Sequence, residues 1–267
     1  MTSFATTSGG HRVAYATSGR PWRPALVLTH SLGGDHHLWD AQAEALKSQY
    51  FIVAIDHLGH GESDAPQGDY TVADLAGAVL AVADVAELDR FHYCGLSVGG
   101  LAGQWLGVHH PDRLSSLTLS NTAAKIGDSE TWDERIQIAR TQGLGALVDG
   151  VMARWFSPGF AEQHPEQFER SKATLLATDP GGYAGVCAAI RDADFRDSVA
   201  SIAVPTLVIG GTGDLATPIE QARWLHEQIS GSRLVELEAA HLGNLDRGPE
   251  FTAALDQFLG EMTPDRA

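Results

Sequence analysis

With 267 residues, 43% of them apolar and 19% charged, the chain can bury one sizeable α/β core, or a core that carries an insertion. Its 34 acidic against 18 basic residues leave a formal charge of −16, which repels phosphate backbones and argues against nucleic acid as a partner; the same field opposes small anions, so an acidic substrate would need local arginines to hold it. Two cysteines without C-x-x-C spacing, no long apolar run and no basic-then-apolar start argue against a disulfide scaffold, a zinc ribbon, a membrane partner and a secretory signal, and suggest a reducing cytoplasm.

In chain order, "HRVAYAT" after Gly9-Gly10 alternates in polarity and predicts a hairpin. Near-continuous apolar runs follow at "ALVLTH" (25–30), "FIVAID" (51–56), "FHYCG" (91–95), "LSSLTLSN" (114–121), "TLVIGG" (206–211) and "LVELE" (234–238). Runs of this length suit strands covered on both faces. Thr71–Leu88 is predicted as a helix: Thr71 and Asp74 are spaced like a capping box, and Val72, Leu75, Ala76, Val79 and Leu80 form one apolar stripe. Leu101–Val108 reads as another. The alternation of strands and helices predicts a mostly parallel, doubly wound α/β sheet.

From about residue 123 to 196 the alternation stops. Four helices are expected there instead, at Trp132–Gln142, Leu144–Phe156, Pro165–Thr178 and Gly182–Asp192. The expected organisation is a core of residues 1–122 and 197–267 with a helical cap of residues 123–196 inserted in it. That cap would sit above the carboxyl ends of the strands, where open α/β sheets bind ligands.

The chemistry-bearing residues fall at those strand ends. Ser97 stands in G-x-S-x-G, directly after a predicted strand and opening a predicted helix, the context of a strained turn that thrusts a nucleophilic hydroxyl outward. A serine hydroxyl needs a base oriented by an acid. Asp214 follows "TLVIGG" and His241 follows "LVELE", so both fall on the same edge of the sheet as Ser97. Asn121, after the strand preceding the cap, is an amide and cannot replace the acid. An oxyanion hole needs two backbone N–H groups: Val98, next to the nucleophile, and Leu32, in the "HSLGG" turn, are the expected donors. His30, His57 and His60 are expected to be packing residues, and Cys94 a buried small hydrophobe. The pairs His36-His37 and His109-His110 do not share a helix face, so no metal site is expected. With no G-x-G-x-x-G and no G-x-x-x-x-G-K-[ST], no nucleotide cofactor is expected either.

The stretches "HSLGGDHHLWDAQ", "CGLSVGGLAGQWLG", "SNTAAKIG", "RWFSPGF", "GYAGVCAAIRDAD" and "AAHLGN" together resemble the 3-oxoadipate enol-lactonases of the α/β-hydrolase superfamily, over nearly the whole chain. The elbow and triad mark only the superfamily; "NTAAKIG" and "CAAIRDAD" are the narrower pieces. The resemblance implies an α/β-hydrolase fold, a cytoplasmic enzyme without cofactor, and hydrolysis of an anionic enol-lactone to 3-oxoadipate in aromatic degradation by the β-ketoadipate pathway. Some relatives carry a fused decarboxylase, which is not expected here. Relatives commonly have methionine where this elbow has Val98, a change of bulk that leaves the N–H. The substrate carboxylate would fall to a cap arginine, with Arg135, Arg154 and Arg191 as candidates, and Trp132 and Trp155 are candidate pocket walls. A general carboxylesterase, a C–C bond hydrolase and a triad-bearing ligand receptor are the alternatives on the same fold.

Overall fold

All the apolar runs named above are strands in the computed structural model, which describes residues 2–263. The hairpin is made by β1 (Thr2–Thr6) and β2 (Arg12–Ser18). The remaining strands are β3 (Ala25–Thr29), β4 (Phe51–Ile55), β5 (Phe91–Leu96), β6 (Leu114–Ser120), β7 (Thr206–Gly211) and β8 (Arg233–Leu237). They form one sheet in the order β1-β2-β4-β3-β5-β6-β7-β8. Strands β3 to β8 are mutually parallel, and β2 joins β4 antiparallel. Every residue of β3, β4, β5 and β7 is buried, as expected for strands with helices on both faces. The edge strand β8 is mostly half-buried or exposed.

The helices of this part are α1 (Asp40–Leu46), α2 (Val72–Val85) and α3 (Val98–His109), with α9, α10 and α11 described below. The capping box of α2 is present: Asp74 N–H donates to Thr71 Oγ1 at 3.2 Å, and Thr71 N–H donates to Asp74 Oδ2 at 2.8 Å. The apolar stripe of α2 is buried at Val72, Leu75, Ala76 and Val79.

Between β6 and β7 the chain forms α4 (Ser129–Gln142), α5 (Val148–Trp155), α6 (Phe160–Gln163), α7 (Pro165–Ala177) and α8 (Pro180–Asp192). The expected Leu144–Phe156 helix is divided, with a 3₁₀ turn at Leu144–Ala146 preceding α5. Gly145 and Gly150 weaken helix propensity there, and the chain enters through Gly143 at φ 77°. The short α6 was not expected; left-handed Gly159 starts it and Pro165 begins the next helix. After β7 come α9 (Ile219–Gln228), α10 (Gly243–Asp246) and α11 (Gly248–Met262). No helix among the described residues is long and apolar enough to cross a membrane.

Candidate active site

Ser97 is the single residue between β5 and α3, and its backbone lies at φ 61°, ψ −114°. For a non-glycine residue this conformation costs about 1–3 kcal/mol and persists only where its surroundings impose it. They do so here: Ser97 N–H donates to the Ser120 carbonyl at 2.9 Å, and the Thr122 hydroxyl donates to the Ser97 carbonyl at 2.8 Å. The flanking glycines are required by close approach. A Cβ on Gly95 would stand 2.1 Å from the Gly99 carbonyl oxygen, and one on Gly99 would stand 2.5 Å from Thr29 Oγ1.

Asp214 lies just beyond β7 and His241 just beyond β8, and both are buried. Their side chains meet: His241 Nδ1 lies 2.9 Å from Asp214 Oδ2. Facing a carboxylate, Nδ1 carries the proton, which leaves Nε2 free to accept one. The same Asp214 oxygen accepts from the Thr217 hydroxyl at 2.7 Å and from Asn121 Nδ2 at 3.1 Å, while Oδ1 accepts the N–H groups of Ala216 and Thr217 at 2.8 and 2.9 Å. Burial alone would raise this carboxyl; His241 and the Thr217 donors outweigh it and hold the group at about 2. Asn121 therefore acts as a donor to the acid, and its own left-handed backbone, at φ 44°, places it there.

Ser97 and His241 both line a cavity of about 220 Å³. No direct hydrogen bond joins their side chains among the described residues. Leu32 lines the same cavity, and its turn is held on both sides: Gly34 N–H donates to the Ser31 carbonyl at 3.0 Å, and Gly33 N–H donates to His60 Nε2 at 2.9 Å. Val98 N–H opens α3, where first-turn amides have no acceptor within the helix.

Behind that turn lie three buried histidines. His30 Nε2 accepts the His57 N–H at 3.0 Å, and His30 Nδ1 is 2.7 Å from the Ser31 carbonyl. His57 Nε2 meets the His30 carbonyl at 3.1 Å. Acceptance by His30 Nε2, and by His60 Nε2 from Gly33, requires a neutral ring; the two contacts to carbonyls are donated by ring N–H groups. Burial, with repulsion among the rings, puts His30 well below its ordinary value and His57 at about 3; burial puts His60 at about 4. Cys94 is buried and burial pushes its thiol up. Among the described residues no cluster of histidine, cysteine or acidic side chains is arranged to hold a metal.

The inserted helices supply the opposite wall. Trp132 and Arg135 from α4 and Arg154 and Trp155 from α5 line the cavity. Both tryptophans are buried, and Trp132 donates Nε1–H to the Ile126 carbonyl at 2.7 Å. The Arg135 guanidinium lies over the Trp132 ring, 5.2 Å from its centre. Neither Arg135 nor Arg154 has an acidic partner among the described residues. Arg191 does not belong with them, a correction to the expectation above. Its guanidinium is engaged by Asp69, Asp133 and Asp192 at 2.8–3.2 Å, and it is absent from the cavity wall, to which Ile190 belongs. One helical residue turns the side chain by about 100°, so Ile190 facing the cavity sends Arg191 away from it. Tyr183 lines the cavity too. The helical spacing of Tyr183, Cys187 and Ile190 in the sequence, one apolar face of α8, is the signal that could have found it.

The model of the alpha/beta hydrolase fold family matches residues 24–248. The chain is 38% identical over 245 residues to 3-oxoadipate enol-lactonase 2 of Acinetobacter baylyi, covering 92% of each chain. It is 40% identical to the enol-lactonase of Burkholderia xenovorans, whose crystal structure superposes with a TM-score of 0.94 over 96% of this chain and 99% of that one. A thermophilic esterase from Thermogutta terrifontis, 25% identical, superposes with a TM-score of 0.92 over 98% and 99% of the two chains. With its parallel sheet and the serine elbow at the end of β5, the chain belongs to the α/β-hydrolase fold family and, within it, to the hydrolases of the 3-oxoadipate enol-lactonase family.

Proposed function

We propose that this enzyme hydrolyses 3-oxoadipate enol-lactone to 3-oxoadipate, in the β-ketoadipate route of aromatic degradation, with Ser97, His241 and Asp214 as its catalytic triad. One observation carries the reading: the elbow serine and an Asp214-bound histidine share a small cavity with two arginines that have no acidic partner among the described residues. Residues 123–196 then act as a cap on a core of residues 1–122 and 197–267. A cytoplasmic setting accords with the free thiols of Cys94 and Cys187.

In this reading His241 Nε2 takes the Ser97 proton as Oγ attacks the lactone carbonyl. The N–H groups of Leu32 and Val98 receive the oxyanion. The ring C–O bond breaks, the enol oxygen leaves with its electron pair, and His241 returns the proton to it. Ketonisation of that enol removes the nucleophile that would close the ring again. Water, deprotonated by the same histidine, then releases the acyl group from Ser97. No cofactor enters these steps. Trp132 and Trp155 form apolar walls, and Arg135 and Arg154 hold the free carboxylate against the repulsion of a protein carrying −16.

The arginines give the test. A charge-assisted hydrogen bond contributes about 1.5–3 kcal/mol, or roughly tenfold to over a hundredfold in affinity. Arg135→Ala is expected to raise KM for the anionic lactone by such a factor, and Arg154→Ala by less because its side chain is the more exposed. A neutral nitrophenyl ester should be hydrolysed almost as before by both. Unchanged KM for the lactone in both variants would remove the arginines from substrate binding.

A further inference from the structure

One buried carboxylate is placed to control His241 without touching its ring. Asp246 ends α10, five residues after His241, and is 7% exposed. Its Oδ2 accepts the Ala240 N–H at 2.7 Å and also the hydroxyl of Ser157. Ala240 immediately precedes His241, and Ser157 lies just beyond α5 in the helical insertion. On the other side of the histidine, Leu242 N–H donates to the Trp155 carbonyl at 2.9 Å, and His241 N–H reaches the Arg154 carbonyl at 3.4 Å. Carbonyls in the last turn of a helix have no partner within it, and here the histidine loop supplies the donors. Three consecutive N–H groups, of Ala240, His241 and Leu242, are thereby fixed to Asp246 or to the end of α5. Arg154 and Trp155 also line the cavity, so the same bonds hold the base and the wall that faces it.

We infer that Asp246 is a positioning residue for His241: by accepting from Ala240 and Ser157 with one carboxylate oxygen, it ties the histidine loop to the 154–157 segment of the insertion. The inference rests on the proposal that His241 is the base. The two ties join different parts: Ala240 N–H bonds the histidine loop to the carboxylate, and Ser157 bonds that carboxylate to the segment after α5. A displacement of about 1 Å at a catalytic group costs about a hundredfold in rate, so loss of both ties falls on kcat. The bonds of His241 and Leu242 N–H to the end of α5 do not involve Asp246 and keep the cavity wall in place, so substrate affinity changes little.

An uncharged nitrophenyl ester is the probe, because it needs neither arginine. Asp246→Ala is expected to lower kcat about tenfold to a hundredfold with KM within about twofold. Asp246→Asn, whose amide oxygen can accept both donors, should stay within about threefold of the parent. Ser157→Ala removes the tie to the insertion alone and should fall between them. The double variant should be no slower than Asp246→Ala, since Ser157 acts through that carboxylate. Rates are read well below each variant's melting temperature. An Asp246→Ala protein that melts earlier but keeps its kcat would overturn the inference. So would an Asn variant as slow as the Ala variant, or a Ser157→Ala loss that adds in full to that of Asp246→Ala. If Asp246→Ala does not fold, Ser157→Ala decides alone, and an unchanged kcat there counts against the tie. His241→Ala separates the two claims: near-parental turnover by it would refute the base itself, whereas an inactive His241→Ala beside a fully active Asp246→Ala refutes only the role of Asp246.

Discussion

Ser97→Ala is expected to lower kcat by about four orders of magnitude or more while the protein stays folded. Only the hydroxyl is removed. The bonds that impose the elbow run through the Ser97 backbone, to the Ser120 carbonyl and from the Thr122 hydroxyl, and alanine bears the strained φ no worse than serine. His241→Ala should cost about as much, because without a base the hydroxyl remains a weak nucleophile. Asp214→Asn should cost less: Thr217 and Asn121 still bracket the side chain, but the imidazolium loses its counter-charge. Turnover of a nitrophenyl ester and the melting temperature, measured on the same preparations, check all three. Near-normal turnover by a folded Ser97→Ala protein would contradict the serine-nucleophile mechanism.

The second large effect is expected in acid. His30, His57 and His60 are held neutral in the fold, at values depressed from the ordinary 6.5 to about 3 for His57 and about 4 for His60. Above pH 6.5 neither the folded nor the unfolded chain protonates them, and they add no pH dependence. As pH falls below 6.5 only the unfolded chain takes up these protons, so stability is lost progressively until the folded values are reached. By pH 4 His57 and His60 each remove roughly 3 kcal/mol, and His30 acts in the same direction. His36, raised by its bond to Asp56 against the cost of burial, works the other way and offsets part of the loss. Together the rings of His57 and His60 are comparable with the lower end of the 5–15 kcal/mol of a typical domain's stability. The melting temperature should therefore drop steeply between pH 6.5 and pH 4. His60→Gln, neutral at every pH and able to accept from Gly33, should make that drop shallower. Equal stability at pH 7 and pH 5 would show that these rings are not held neutral as described.

The legible parts of this protein were those written in short-range pattern. Gly95, Ser97 and Gly99 are contiguous, and the steric reason for each glycine lies within the elbow or directly beneath it at Thr29. Asp214 and His241 could be placed because each follows an apolar strand run, and parallel strands deliver their ends to one edge. What escaped depends on partners distant in sequence. Asn121 could be seen as unable to be the acid, but its donation to Asp214, 93 residues away, required the fold. His30, His57 and His60 could be assigned to packing, but not to the neutral relay behind the Leu32 turn. Arg191 was misplaced for a different reason: a helix stripe defines which side is apolar, and both its borders look alike until the three aspartates around the guanidinium are known. The division before α5 had a visible cause in Gly143, Gly145 and Gly150, yet the apolar spacing across it was helical enough to hide it.

The proposed reaction sets a triad in a small, arginine-lined cavity to work on an enol-lactone. An enol oxygen leaves more readily than an alkoxide and ketonises afterwards, so attack, oxyanion stabilisation and proton transfer are sufficient. The saturated analogue lacks that advantage, and a long-chain ester would have to extend out of a cavity of about 220 Å³. The most direct measurement is kcat/KM for the carboxymethyl enol-lactone, its saturated analogue and a simple ester, following loss of the enol-lactone's ultraviolet absorbance and identifying the product by mass. A clear preference for the enol-lactone is expected, with 3-oxoadipate as product; comparable kcat/KM values for all three would contradict the proposed lactonase activity.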